Sequence, residues 1–237
     1  MASTDVVEYC GYPDCIKLEN EQSRVILGAH GGGRVLEYAW KGENVIYLDP
    51  DQNGWKYDPE KSVIDPCGGR LDIGPETVIP KHPELWLGSW TAEEIGPGAA
   101  RLISAQDAAT GVQLIREFQL DDLSSRLTCT QIIRNHSDET RHWCHWGRTL
   151  AQGGGICIIP LTAHSRIPLT AHSRFPKKYI MYGPGPVMNY HPNDPNIRVR
   201  EGYLEIIGTP ASPKLGMDSY AGWFAYLMKN DLMFVKR

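Results

Sequence analysis

The chain has 237 residues, 24 Lys+Arg against 28 Asp+Glu, and a net charge of −4, with 41% hydrophobic and 22% charged residues. That balance and a pI near 6.1 argue against a nucleic-acid surface, which needs clustered Lys and Arg; adjacent basic residues occur only at Lys177-Lys178 and Lys236-Arg237. The 24 glycines and 17 prolines break the sequence into short apolar runs, spaced roughly every eight to twelve positions, a rhythm that predicts an all-β sandwich or barrel.

The N-terminus, MASTDVVEYC, has neither a basic start nor an apolar stretch. No signal peptide or membrane span is therefore expected, and the chain reads as cytoplasmic. Taken in order, strands are expected at 23–27, 35–40, 45–48, 100–105, 112–120, 125–135, 140–146, 155–160, 202–208 and 222–228. The glycines at 28, 31, 32 and 33 stand between the first two. They fail the spacing of a nucleotide loop and are followed by β-branched and aromatic residues, so they read as a bend between strands. A helix of one or two turns is expected within 59–64.

The clearest alternation is in SSRLTCTQI, which puts Leu127, Cys129 and Gln131 on one face and Arg126, Thr128 and Thr130 on the other. A core of this size does not need disulfide staples, so Cys129, Cys144 and Cys157 read as buried hydrophobes. Cys10 and Cys15 are spaced to close a small loop or share a metal, but no second pair follows at zinc-ribbon spacing. The octapeptide IPLTAHSR is repeated without change at 159–174. Its even length keeps His164 and His172 on one side of an extended strand, and a loop insertion absorbs it at small entropic cost.

Two stretches carry candidate chemistry. CGGRLDIGPETVIPKHPELWLGSWTAE, starting at Cys67, is too irregular for a core strand and combines an arginine, carboxylates and tryptophans. A pyranose presents an apolar C–H face and an edge of hydroxyls, so a sugar site wants an aromatic platform beside planar hydrogen-bonding groups. Arg70, Asp72, Glu76, Trp86 and Trp90 supply that set. The alternative is that both tryptophans anchor the core and Arg70 pairs with a carboxylate. In NHSDETRHWCHWGRTL, starting at Asn135, a turn precedes a strand that puts His142, Cys144, Trp146 and Arg148 on one face. Arg141, Trp143, His145 and Thr149 lie on the other. A histidine here suits general acid work or packing.

The run of Gly-Gly-Arg-Val, Lys-Gly-Glu-Asn and Val-Ile-Tyr-Leu, then GGRLDIGPE…HPELWLGSWTAE, RNHSDETRHWCHWGRT and GGGICIIPL…SRFPKKY, resembles the galactose mutarotase-like superfamily. Within it the likeness is to an uncharacterised bacterial domain family rather than to aldose 1-epimerases proper. It extends from about residue 16 to the end. The resemblance implies a single antiparallel β-supersandwich domain whose concave face binds a small carbohydrate. It implies no cofactor, no nucleic-acid partner and no membrane. Family epimerases use a histidine acid and a glutamate base from a late strand. By likeness Arg70 contacts sugar hydroxyls, and Arg148 stands where the histidine spacing from Asn135 falls.

The nearest histidine is His145, taken as the catalytic candidate, with Arg70, Asp72, Glu76, Trp86, Trp90 and Arg148 as substrate-binding residues. The late glutamate is not in the chain, which ends at DLMFVKR, in the second strand of a hairpin turned at Lys229-Asn230-Asp231. A family member lacking its C-terminal strands is therefore expected. The function expected is recognition of a sugar or sugar acid, with isomerase-type chemistry as its catalytic form. The alternatives are a non-catalytic binding module, a structural accessory domain, and a metal-dependent lyase or oxygenase using His142 or His145.

Overall fold

A computed structural model describes residues 1–162, 179–183, 188–212, 214–217 and 219–237. These fall into two compact units, Met1–Ala151 and Gln152–Arg237. The architecture is all-β and antiparallel, as the turn rhythm predicted. Among the described residues no helix is long and apolar enough to cross a membrane.

The first unit contains β1 (Ser3–Tyr9), β2 (Tyr12–Glu19), β3 (Ser23–Gly28), β4 (Arg34–Trp40), β5 (Glu43–Asn44) and β6 (Gly69–Gly74). Helix α1 (Pro83–Leu87) follows, then β7 (Thr91–Gly96), β8 (Ala99–Ile103), β9 (Val112–Leu120), β10 (Leu127–Asn135) and β11 (Cys144–Thr149). One sheet runs β1-β2-β3-β4-β6-β11 with β5 on β4, and the other runs β10-β9-β8-β7. Strand β9 shows why they pack: Val112, Leu114, Phe118 and Leu120 lie on one face at period two and are all buried. From β9, Arg116 Nη1 donates to the carbonyls of Gly33 at 2.7 Å and Gly69 at 2.9 Å, tying its sheet to the other.

The glycine run is the bend between β3 and β4, as expected. Gly32 and Gly33 have φ of +81° and +57°, the region that disfavours side chains. A Cβ on Gly32 would run into the Trp86 carbonyl and one on Gly33 into the Trp90 ring.

Several local expectations are corrected. Residues 45–48 do not form a strand. Asn44 Oδ1 accepts from the amides of Tyr38 and Ile46, and its Nδ2 donates to the Ile46 carbonyl, so the side chain takes the place of ladder partners. Residues 59–64 are not helical, because Asp58 accepts from the Glu60 amide and closes a turn. The segment judged too irregular for a core strand contains β6, where Leu71 and Ile73 are buried. Strand β11 starts at Cys144 rather than near Thr140. Cys144 is exposed, Cys129 and Cys157 are half-buried, and the deeply buried thiols are Cys15 and Cys67.

The second unit contains β12 (Ile156–Pro160), β13 (Ile180–Tyr182), β14 (Met188–Asn189), β15 (Ile197–Arg200), β16 (Tyr203–Ile206), β17 (Lys214–Gly216), β18 (Phe224–Leu227) and β19 (Met233–Lys236). Its sheets run β15-β16-β12-β18-β19 and β14-β13-β17. They share a cluster of Tyr179, Met181, Ile197 and Leu204, with Ile159, Leu161 and Leu215 against it. The β18–β19 hairpin forms as expected, with Asp231 at φ +60° in its turn. Of the octapeptide repeat, His164 and His172 lie outside the described residues, as do Lys177 and Lys178.

Candidate functional site

The pairing of β6 with β11 brings the two candidate stretches together. Its register sets Arg70 opposite Arg148, Asp72 opposite Trp146 and Gly74 opposite Cys144. Directly opposed residues of an antiparallel pair point to the same side, so these six positions form one face. Leu71 and Ile73 point the other way and are buried. Bare Gly74 makes room for a large neighbour: a Cβ there would touch the Trp146 ring and the Cys144 sulfur. The Trp146 indole lies on that face and is exposed.

Two like charges directly across a ladder repel, and the surroundings offset this only in part. The Arg70 guanidinium lies over the Trp86 ring, 4.3 Å from its centroid, a favourable cation–π arrangement. Trp86 reaches it from α1, whose neighbouring Leu85 and Leu87 are buried. Asp65, in the irregular segment before β6, touches both arginines through one oxygen: Oδ1 is 3.3 Å from Arg70 Nη2 and in contact with Arg148 Nη2. Burial still pushes the Arg70 pKa down, with the charges of Asp72 and Glu76 opposing it and Arg34 adding to it. Burial alone lowers that of Arg148. Among the described residues, Nε and Nη1 of Arg70 and Nε of Arg148 are buried without a hydrogen-bond partner. Such donors cost about 1–3 kcal/mol each unless something accepts from them.

Asp72 is held rigidly. Its Oδ1 accepts from the Ile73 amide at 2.7 Å and from His82 Nε2 at 2.9 Å. His82 Nδ1 meets the Pro80 carbonyl at 2.6 Å. Both ring nitrogens therefore face acceptors, an arrangement that wants the imidazolium. Burial works to lower the His82 pKa, but the Asp72 carboxylate and the Pro80 carbonyl outweigh it and the net shift is upward.

The remaining candidates lie elsewhere. Trp90 is buried, stacks against the glycine bend and spends its indole N–H on the Leu85 carbonyl at 3.0 Å, which makes it a core anchor. His145 is opposed to Ile73 in the register, so it points to the face away from the arginines. Glu76 is exposed in the turn after β6, near enough for its charge to act on Arg70. His142 precedes β11 and is also exposed.

Sequence reasoning missed three members of the group. Trp146 was legible, being two positions from Arg148 on one strand face. His82 lay inside the quoted stretch but had no spacing relation to Asp72, and Asp65 had no local signal. The arginines can donate to a carboxylate or to hydroxyl oxygens, Asp72 can accept from a hydroxyl, and Trp146 offers an apolar plate. In comparisons with protein-family models, curated proteins and solved structures, nothing matches the chain.

Proposed function

We propose that the Arg70–Asp72–Trp146–Arg148 face binds a small carbohydrate, a sugar or sugar acid, and does so without chemistry of its own. The observation that carries the reading is the register of β6 with β11, which sets two partly unspent guanidiniums and a fixed carboxylate beside an exposed indole. Arginine donors and a carboxylate acceptor suit vicinal hydroxyls, and an indole suits the C–H face of a pyranose. The likeness to the galactose mutarotase-like superfamily points the same way, by analogy alone.

Binding is favoured over epimerase-type catalysis by the histidines. A general acid must reach the atom it protonates. His145 lies on the opposite side of the ladder and His82 has both nitrogens engaged. The six free cysteines suit a reducing, cytoplasmic setting.

Titration of neutral hexoses and hexuronates, followed by tryptophan fluorescence, tests the reading. At least one class perturbs the emission, and Trp146→Ala weakens its binding about tenfold, as expected for loss of a ring-stacking contact worth about 1–2 kcal/mol. If no sugar of either class perturbs the emission at millimolar concentration, the reading is wrong.

A further inference from the structure

We propose that Asp65 is an internal stand-in for the carboxylate of a sugar acid: its side chain sits in the Arg70–Arg148 fork, and a ligand carboxylate displaces it. This rests on the carbohydrate-binding reading above and assigns that site its ligand class, a uronate or aldonate rather than a neutral sugar.

The comparison that supports it is inside the same chain. In β15 and β16, Arg198 and Arg200 also share one carboxylate, Glu205. There the carboxylate is the buried partner, its side chain 8% exposed against 48% and 59% for the arginines. Arg198 Nε donates to Oε2, and Arg200 Nε and Nη2 donate to Oε1 at 3.2 and 2.9 Å. Both Glu205 oxygens are used, as a permanent ion cluster requires.

At Asp65 the arrangement is inverted. Arg70 is buried and Arg148 half-buried, 8% and 34% exposed, and the carboxylate is 63% exposed. Oδ1 approaches both, and among the described residues Arg148 Nη2 is a buried nitrogen without a hydrogen-bond partner. The charge is neutralised while the directional donors of Arg70 and Arg148 stay unspent. A carboxylate entering from solvent can use both its oxygens on a guanidinium pair and so satisfy donors that Asp65 leaves idle.

Displacement needs no loop opening. Gln52 Nε2 donates to the Asp65 carbonyl at 3.3 Å and its Oε1 accepts from the Cys67 amide at 2.9 Å, holding the backbone on both sides. A change of Asp65 rotamer suffices.

The experiment titrates galactose and galacturonate, which differ only at C6, into the full chain and into Asp65→Asn, with Asp65→Ser as a second variant. Thermal unfolding verifies that each variant folds. Removing the internal competitor raises the fraction of free fork, so galacturonate binds Asp65→Asn and Asp65→Ser about tenfold more tightly than the parent, while galactose, which brings no carboxylate to the fork, gains much less. If galacturonate binds the parent and the variants bind it equally or more weakly, Asp65 is an ordinary member of the site and the proposal falls. If galactose binds and galacturonate binds no form, the ligand class is wrong although the carbohydrate reading stands. If neither sugar binds any form, both fall together.

Discussion

Two places in this chain set a pair of arginines around one carboxylate, and they are built in opposite senses. In the second unit Glu205 is buried and directly hydrogen-bonded, its pKa held down by Arg198 first and then Arg200 against the opposing effect of burial. The arginines around it are wet, so water satisfies what the glutamate does not. In the first unit Arg70 is the dry partner, Arg148 is half-buried, and the carboxylate is the most exposed of the three. A cluster meant only to hold strands together places its best-satisfied group where water cannot help. Here, among the described residues, the donors left idle lie in the protein interior, two nitrogens at Arg70 where the internal Arg34 and Arg116 each leave only Nε. Arg116 is a third arrangement: buried, with its pKa lowered by that burial, it has backbone carbonyls rather than a carboxylate as its acceptors.

The largest effect is expected where an arginine is wholly internal. Arg116→Met orphans the Gly33 and Gly69 carbonyls and should cost about 3 kcal/mol of folding stability, from roughly 1–3 kcal/mol per buried group left unpaired. Urea unfolding measures it. A loss under about 1 kcal/mol would mean that the carbonyls find water and that Arg116 is not the brace described.

Next comes the contrast itself. Arg148→Ala should weaken binding of a hexuronate about ten- to a hundredfold, the range of a lost charged hydrogen bond. Arg198→Ala should leave that affinity alone. Equal losses from both substitutions would erase the distinction between the two clusters.

The smallest effect concerns pH. The His82 pKa is raised in the folded state above its usual value of about 6.5. Its contribution to stability is therefore complete below about pH 6.5 and is lost as pH climbs through the folded value. Asp72→Asn removes the main charged partner, so the unfolding midpoint of that variant should vary less than the parent's between neutral and mildly alkaline pH. A parent whose midpoint is flat across that window would contradict the His82–Asp72 assignment.

Much of the scaffold was readable from local pattern. Val112 to Leu120 is a strand over those same residues, with Val112, Leu114, Phe118 and Leu120 packed on one face. The glycine bend was readable because β-branched and aromatic residues follow it. Strand β6 was not, since its Arg, Asp and glycines mask Leu71 and Ile73 in a sequence window, and strand propensity is a matter of surroundings. Val45 to Leu48 misled for the converse reason: the apolar run makes only an isolated bridge, Ile46 to Ala151, and Asn44 binds the Tyr38 and Ile46 amides.

Within the candidate site, Arg70 and Asp72 were named from residue chemistry and Arg148 from the family likeness, and Trp146 was within reach of the strand alternation. His145 and Trp90 were named beside them for equally good chemical reasons. What separated the two sets was the facing of side chains across a ladder, with Trp90 drawn into the core by the space that Gly33 leaves.

By itself the sequence determined an antiparallel β chain with its turns in place, because side-chain alternation and glycine conformations act over a few residues. Only the tertiary structure decided that Arg70 opposes Arg148, that Asp65 reaches both, and that His82 fixes Asp72. Each of those is a pairing between segments distant in the chain, set by strand register and burial rather than by any local spacing.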